Sequence, residues 1–337
     1  MRKFRALERL LLAAVLLSGC QKGHPEGSAI ALDAKAEWAG LTKATLLRGP
    51  SLATVEIGTS AFLYDGEWTE AMTPNYFYNV PFRFMGSFWV SEAQYYWPGS
   101  SRKLRFFCYA PFGAAVLSDS SQPGAPVMQF TVADSADAQV DLLVADTGTL
   151  DGGERQALTV DFSHALCAVR FAIKAGSRSG LLRGLEIGGL YNAASRSLAW
   201  GGAWTSFSGD ATYALEGSFP YTSSDEGLNL YDGDKGLLLL LPQSRSDAWI
   251  RALYEVQGED DVRAIQAGPF TVNWEQGKIY TYTLDVRESV TVSVSVAGLA
   301  EVGPDTLFEV GVYPFAPAES AGGDYTGGNG DFVVTRK

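Results

Sequence analysis

Alternation of apolar and polar residues with a period of two recurs along this chain, and it constrains the fold more than any other feature. Successive side chains of a β-strand point to opposite faces, so this pattern is typical of strands with one buried face. The segments of strand length that alternate, or that are rich in apolar, β-branched and aromatic residues, are residues 30–34, 55–61, 76–80, 104–108, 127–132, 140–144, 158–162, 168–173, 237–241, 249–256, 279–284 and 290–296. No amphipathic run of a dozen residues with helix caps lies between them. We therefore predict an all-β protein.

Turn signals separate the predicted strands, including Asp65-Gly66, Asp151-Gly152 and Asp232-Gly233. A length of 337 residues favours about two domains, and short strands joined by turns favour antiparallel β-sandwiches. The predicted division is 28–150 for the N-terminal sandwich, 151–289 for the C-terminal sandwich and 290–337 for a strand extension. Residues 104–111 hardly alternate, which predicts a strand buried on both faces.

Charge and composition exclude several classes of protein. The chain has 26 basic and 38 acidic residues and a net charge of −12, which argues against a nucleic-acid partner. Two histidines and three cysteines leave few ligands for zinc, iron or copper. His24 lies in a polar stretch typical of a tether, and His164 has no companion motif, so we interpret His164 as a hydrogen-bonded structural residue. We therefore predict no enzyme, no cofactor and no metal site.

Two acidic groups deserve a structural interpretation rather than a catalytic one. Residues 232–236 resemble the start of a calcium loop, but they lack the glutamate at the twelfth position and the flanking helices. Glu255, Glu259, Asp260 and Asp261 surround a glycine, where paired carboxylates could do glycosidase chemistry. Consecutive placement in a polar turn favours a solvated loop instead.

The N-terminus indicates export. Basic residues at positions 2, 3, 5 and 9 precede the apolar residues 10–17, a stretch too short to span a bilayer as a helix. This pattern predicts a signal peptide over residues 1–19. It ends in Leu17-Ser18-Gly19-Cys20, which resembles the lipobox of bacterial lipoproteins. The resemblance implies that Cys20 carries the lipid (diacylglycerol and palmitate) and anchors a tether, residues 20–27, to the outer membrane. An ordinary signal peptide is the alternative.

The other two cysteines, Cys108 and Cys167, lie in strongly apolar runs. In an exported protein they could form a disulfide. We favour two buried, unpaired thiols that pack as small hydrophobic groups.

A family resemblance rests on motifs in a fixed order. The lipobox is followed by AIALDA, LTKATLLRG and TVEIGTSAFLYDGEW, then by YYWP and FFCYAP, DLLVA, FSHALCAVRF and PFTVNWEQGKIYTYTLDV. Over residues 17–286 the chain resembles the fimbrillin family of pilus subunits and related lipoproteins of Gram-negative bacteria. The resemblance implies two tandem transthyretin-like β-sandwich domains, assembly with other fimbrial subunits and a role in adhesion at the cell surface.

The resemblance also implies maturation by a trypsin-like protease. In fimbrillins this protease cuts after a basic residue in the loop that follows the first strand. Lys43 and Arg48 lie in that region, and we favour the bond between Arg48 and Gly49 because glycine keeps a loop accessible. The alternative is that Arg48 is only a surface charge.

Removal of residues 20–48 would open a groove that another chain's strand could fill. The extension past Arg287 continues to alternate, with Val290, Val292, Val294 and Val296 on one face. We predict that Phe308, Val310 and Val312 are the anchors of the donated strand. The alternative is that residues 290–337 fold back onto their own second domain, which would make this a terminal subunit.

A second function class stays open: a monomeric surface lipoprotein that binds a glycan or other ligand through exposed aromatic side chains. Such a protein would have a host or bacterial surface receptor as its partner. The candidate stacking platforms are Trp38, Trp68, Trp89, Trp200, Trp204 and Trp249. Tryptophan in strands is more often part of the core, so we rank this function below the fimbrial one.

Overall fold

The computed structural model confirms the all-β prediction. It describes residues 28–36, 47, 49–153, 157–175, 178–215, 217–231, 236–259, 261–286, 291–298, 308–317, 325–326 and 333–334. Within these ranges the helical elements are a single turn, α1 (Gly49–Leu52), and a 3-10 turn (Ala136–Ala138). None of the helices in the described ranges has the length and hydropathy needed to cross a bilayer.

The first half of the chain forms a closed sheet. The strands of this half, most of which belong to that sheet, are β1 (Leu32–Ala36), β2 (Ile57–Tyr64), β3 (Phe77–Phe84), β4 (Trp89–Ser91), β5 (Lys103–Ala110), β6 (Val116–Leu117), β7 (Val127–Thr131), β8 (Leu143–Asp146), β9 (Leu150–Asp151) and β10 (Leu158–His164). The pairing order is β2-β3-β4-β1-β10-β8-β5, and β5 pairs with β2 to complete the ring. One hydrophobic core, built from residues 30–162, fills this ring.

The second half of the chain contains two sheet segments joined by one long strand. Its strands are β11 (Cys167–Lys174), β12 (Gly180–Leu190), β13 (Ala193–Ser197), β14 (Trp204–Ser208), β15 (Ala211–Leu215), β16 (Phe219–Tyr221), β17 (Glu226–Asn229), β18 (Leu238–Leu240), β19 (Ser244–Val256), β20 (Val262–Asn273), β21 (Lys278–Asp285), β22 (Thr291–Gly298), β23 (Phe308–Pro317), β24 (Tyr325–Thr326) and β25 (Val333–Val334). One segment has the order β15-β12-β19-β20 and the other β22-β21-β11-β17. Strand β23 pairs with both β20 and β22 and so connects the two.

The two halves share a sheet and a core. A four-stranded sheet of order β14-β13-β7-β6 takes two strands from each half. The second hydrophobic core includes Phe62 and Phe107 from the first half together with Phe171 from the second. Strand β5 therefore has one face in each core, which confirms that residues 104–111 are buried on both faces.

The predicted domain division stays a prediction, but one strand that follows the predicted boundary pairs with strands of the first half. Strand β10 follows the predicted boundary at residue 150 and yet pairs with β1 and β8. The sheet of the first half therefore continues to His164. The sequence placed the boundary at the turn signal of residues 151–153, and a turn signal does not tell which sheet the next strand joins. The transthyretin-like character of the two sandwiches likewise stays a prediction.

Candidate functional site

The candidate site is the position of β1 in the closed sheet. Strand β1 pairs in parallel with β10 through five residues, from Leu32 opposite Leu158 to Ala36 opposite Phe162. On its other edge it pairs with β4 only where Leu32 faces Trp89. The ring of strands is therefore closed through β1, and the contact between β1 and β4 is its narrowest link.

Residues just before β1 extend this edge by a few backbone contacts. The N–H of Ile30 donates to the carbonyl of Tyr95 at 2.8 Å, and the N–H of Trp97 donates to the carbonyl of Ser28 at 3.1 Å. A single bridge joins Ala29 to Tyr96. The segment that includes β1 is thus held on one side by β10 and on the other by a short, irregular ladder.

The inward side chains of β1, together with Ile30 two residues before it, explain why the strand lies in the core and why few apolar contacts hold it there. Ile30, Leu32, Ala34 and Ala36 point into the core and are buried, whereas Lys35 is exposed. Two of the four inward side chains are alanines, which contribute little apolar area compared with leucine or isoleucine. The alternation predicted for residues 30–34 is confirmed, and the strand extends two residues further.

Beyond β1, a buried carboxylate holds the chain at Leu47. The N–H of Leu47 donates to Oδ2 of Asp141 at 2.8 Å. Nδ1 of His164 lies 2.9 Å from Oδ1 of the same carboxylate. The Asp141 side chain is 1% exposed and that of His164 is 9% exposed. Strand β10 ends at His164, so this pair lies at the end of the strand that β1 accompanies.

His164 is hydrogen-bonded, which confirms its structural interpretation, but sequence reasoning missed its partner. Asp141 stands alone as an acidic residue within the apolar run VDLLVA. A charged side chain within a buried apolar run is rarely tolerated without a partner, so that isolated aspartate, two residues before β8, was the available signal.

The predicted processing and lipidation residues fall at or beyond the edge of the described residues. Cys20, Lys43 and Arg48 lie outside them, and Gly49 is the first residue of α1. His24 and Trp38 also lie outside the described residues. The predictions for Cys20, Arg48 and Gly49 therefore stay predictions.

The proposed donor strand lies within the chain's own second half. Phe308, Val310 and Val312 belong to β23, which pairs with β22 from residue 308 to residue 314. Strand β22 in turn pairs with β21 through eight residues. In the single chain, β22 and β23 therefore continue the sheet of the second half from the edge of β21, as the fold-back alternative describes. Donation of this strand to another subunit stays a prediction.

The two remaining thiols are free and buried, as favoured from the sequence. Cys108 lies in the core of the first half and Cys167 in the core shared by both halves. Burial raises the pKa of the Cys108 thiol to about 12 and raises that of Cys167 further. Neither thiol is placed or ionised for chemistry.

The candidate stacking tryptophans do not form an exposed group. Trp89 and Trp204 are buried, Trp68 and Trp249 are half-buried, and Trp200 is 84% exposed. Within the part of the chain that the structure describes, Trp200 is the only member of the predicted set whose ring is exposed to solvent. This distribution does not favour the glycan-binding function.

The acidic candidates have ordinary partners. Glu255 accepts from the Arg183 guanidinium at 2.7 Å, and Glu259 accepts from Arg263 at 2.5 Å. Asp260 and residues 232–235 lie outside the described residues. Among the residues that are described, no group of three or more His, Cys, Asp or Glu side chains is arranged to hold a metal ion.

Comparison with known proteins identifies the family. The profile described as fimbrillin-like matches residues 53–298, which is most of the chain and includes both halves. The chain belongs to the fimbrillin-like family. The matched region begins after β1 and ends with β22. Strand β1, which closes the sheet of the first half, therefore lies outside the match.

Among solved structures, one alignment shows the same fold and another is a weaker similarity. A fimbrial protein from Bacteroides vulgatus aligns with a TM-score of 0.61 and 17% identity, over 80% of this chain and 99% of that one. A fimbrial assembly protein from Parabacteroides distasonis aligns with a TM-score of 0.41 and 11% identity, over 85% of this chain and 100% of that one. The alignment with the Bacteroides vulgatus protein shows a shared fold. Among curated proteins, no sequence matches this chain.

Proposed function

We propose that this protein is a structural subunit of surface fimbriae that serves adhesion, and that β1 is its exchangeable strand. Membership of the fimbrillin-like family supports the fimbrial role. The observation that carries the assembly step is the geometry of β1, which closes the sheet with five pairs on one edge and one on the other. The role is structural rather than enzymatic.

The precursor is exported and anchored through lipidated Cys20, and cleavage between Arg48 and Gly49 separates β1 from the rest of the chain. Loss of β1 leaves an apolar groove between β10 and β4, lined by Leu158, Phe162 and Trp89. The groove also exposes unpaired backbone groups on both edges. Such an edge binds an extended segment of another chain by strand addition.

The donor is the extension that contains β22 and β23. In a single subunit these strands pair with β20 and β21, so donation requires that β23 leave this position. Phe308, Val310 and Val312 alternate along β23, as an incoming strand needs. Each large apolar anchor that becomes buried contributes about 1.5–3 kcal/mol before ordering costs, more than the alanines of β1 can.

The experiment cleaves the purified precursor with trypsin and follows the formation of SDS-resistant ladders. The parent chain should be cut after Arg48 and then form ladders. The Lys43→Gln/Arg48→Gln double variant should remain unassembled, whereas the matched single variant Lys43→Gln should behave as the parent. N-terminal sequencing of the polymer should begin at Gly49.

A truncation tests the donor separately. A chain that lacks residues 308–337 keeps β1 and the cleavage site and should be cleaved without forming ladders. Ladders from this truncated chain alone would show that β23 is not the donor. Labelling of the parent, but not of Cys20→Ala, by an alkyne fatty acid in cells would establish the anchor.

A further inference from the structure

The strongest unassigned feature is the buried carboxylate of Asp141. It accepts the Leu47 N–H at 2.8 Å on one oxygen and lies 2.9 Å from Nδ1 of His164 on the other. The carboxylate is 1% exposed, so its hydrogen bonds are its main compensation for lost hydration. The partners are separated by 94 residues in the chain, which makes the contact with Leu47 a tertiary one.

Cleavage after Arg48 would deprive Asp141 of the Leu47 donor. Hydrolysis of the bond between Arg48 and Gly49 consumes one water and leaves a carboxylate on Arg48 and an α-ammonium group on Gly49. Leu47 lies on the N-terminal side of the cut and leaves with the cleaved segment. A buried acceptor that loses its donor destabilises the folded chain unless another donor takes its place.

We propose that the α-ammonium of Gly49 replaces the Leu47 amide as the partner of Asp141 in the cleaved chain. This inference rests on the proposed cleavage site. Gly49 follows Leu47 by two residues, so its nitrogen lies within about 7 Å of the Leu47 nitrogen along the chain. An ammonium group supplies three donors and a positive charge, and hydrogen bonds between two charged groups are stronger than those of a neutral amide.

The residue that follows supports this exchange. Pro50 has no backbone N–H, so it cannot donate to the carboxylate in place of Leu47. The first donor on the cleaved chain is therefore the α-amino group of Gly49 itself. A glycine without a side chain lets this terminus approach a buried acceptor closely.

Pairing with Asp141 would place the new N-terminus at the end of the assembly groove. The last pair between β1 and β10 joins Ala36 to Phe162, and His164 follows two residues later. A terminus held beside His164 stays clear of the groove that β1 has left. Asp141 is thus the receptor for a primary ammonium group that cleavage creates.

The test uses a full-length chain in which residues 43–48 are replaced by the recognition sequence of a site-specific protease that leaves Gly49 first. After cleavage, the protein is treated with an N-hydroxysuccinimide ester at pH 7 and the N-terminal peptide is followed by mass spectrometry. Since a raised amine pKa of one unit reduces the reactive fraction tenfold, the Gly49 amine should react about tenfold more slowly in the parent than in Asp141→Asn. Asp161→Asn, an exposed carboxylate on β10, is the matched control and should react as the parent does.

Lys103, which is half-buried and lies on β5 away from Asp141, provides an internal reference for reagent activity in every sample. Equal rates at Gly49 in the parent and in Asp141→Asn would overturn the proposal, and so would slow reaction in both. If Asp141→Asn fails to fold, the cleaved parent is compared with itself in buffer and in 6 M guanidinium. Its Gly49 amine should react about tenfold more slowly in buffer, and equal rates would overturn the proposal. The engineered cut needs neither the maturation protease nor polymerisation, so this result is independent of whether fimbriae form.

Discussion

Strands β1 and β11 occupy equivalent places in the two halves, and they differ in how firmly they are held. Each is the first strand of its half, and each pairs in parallel with a later strand, β10 and β21 respectively. Strand β11 makes seven parallel pairs, and its other edge is covered by β17 and β18. Strand β1 makes five parallel pairs, and its other edge meets β4 at one position.

The burial of their side chains also differs between β11 and β1, in the same direction as the pairing. Strand β11 is buried along nearly its whole length, and even Arg170 is 5% exposed, donating to Oγ1 of Thr281 at 2.9 Å. The Arg170 guanidinium also lies 4.3 Å from the centre of the Tyr231 ring. Strand β1 alternates buried alanine with Asp33 and exposed Lys35. The same topological position is therefore held by more contacts in one half than in the other, because burial and edge pairing differ.

Thiol reactivity should show the largest effect of removing β1. Cys108 shares its core with β1, and burial raises the pKa of its thiol to about 12. Deletion of residues 28–36 in a Cys20→Ala background should hydrate this core and restore an ordinary thiol pKa, which raises the labelling rate of Cys108 on the order of 1000-fold at neutral pH. Cys167, on β11, should stay unreactive. Labelling of both cysteines, or of neither, would contradict the difference between the strands.

Truncation of one core side chain in each strand compares them directly. Phe171 on β11 is 1% exposed within the core that both halves share. Phe171→Ala should lower the free energy of unfolding by about 3–5 kcal/mol. Leu32→Ala in β1 should lower it by about 2–3 kcal/mol, measured in the same urea titration. A larger loss for Leu32→Ala would mean that β1 is the firmer strand.

An ion pair at the contact between the halves tests whether they unfold together. Asp146 accepts from Nε of Arg105 at 2.9 Å and from the N–H of Trp200 at 2.8 Å. Burial by itself would raise the pKa of Asp146, but Arg105 and the amides of Gly148 and Trp200 outweigh it and hold the pKa below its usual value. Asp146→Asn should lower stability at pH 7 by about 3 kcal/mol, since it leaves the Arg105 charge largely buried and unpaired.

The pH dependence follows from the sign of that shift. A lowered carboxyl pKa contributes stability that is present above the unfolded value, about pH 3.9, and lost as the pH falls through the folded value. The difference between parent and Asp146→Asn should therefore shrink below pH 4. A difference that stays constant down to pH 2 would exclude the ion pair as its cause. A single unfolding transition in both proteins would show that the two halves remain coupled.

The smallest effect is expected at Trp200. Its ring is 84% exposed on the turn between β13 and β14, so Trp200→Ala should change the free energy of unfolding by less than about 0.5 kcal/mol. Glycan arrays with the parent and this variant would show whether the ring binds a ligand. A loss of stability above 1 kcal/mol would indicate that the ring packs against residues outside the described ranges.

Much of the strand content could be read from periodicity, because half-buried strands such as β10 alternate without interruption. Strand β12 was missed because four of its eleven residues are glycines. The structure explains two of them by close approach. A Cβ on Gly188 would lie 2.3 Å from the Trp249 side chain, and one on Gly180 would lie 2.0 Å from the Glu255 carbonyl oxygen. No single-sequence pattern reveals such a neighbour.

Pairing partners were harder to predict than strands. The alternation of β1 and β10 marks both as half-buried but says nothing of their parallel contact across more than a hundred residues. The same holds for the site at Asp141, whose partners Leu47 and His164 come from different segments. Patterns within a short window report on burial, whereas long-range pairing depends on how whole sheets close.

The sheet of order β14-β13-β7-β6 has a mechanical consequence for a filament. If tension enters a subunit at the groove of its first half and leaves through the extension of its second, the load must cross between the halves. Here it crosses through paired strands β7 and β13, which join residues 127–131 to residues 193–197 through five pairs. Neighbouring strands loaded along their length share a force among all their hydrogen bonds at once. Under tension the two halves of each subunit would then move together as one stiff unit, rather than separate as two domains joined by a flexible linker.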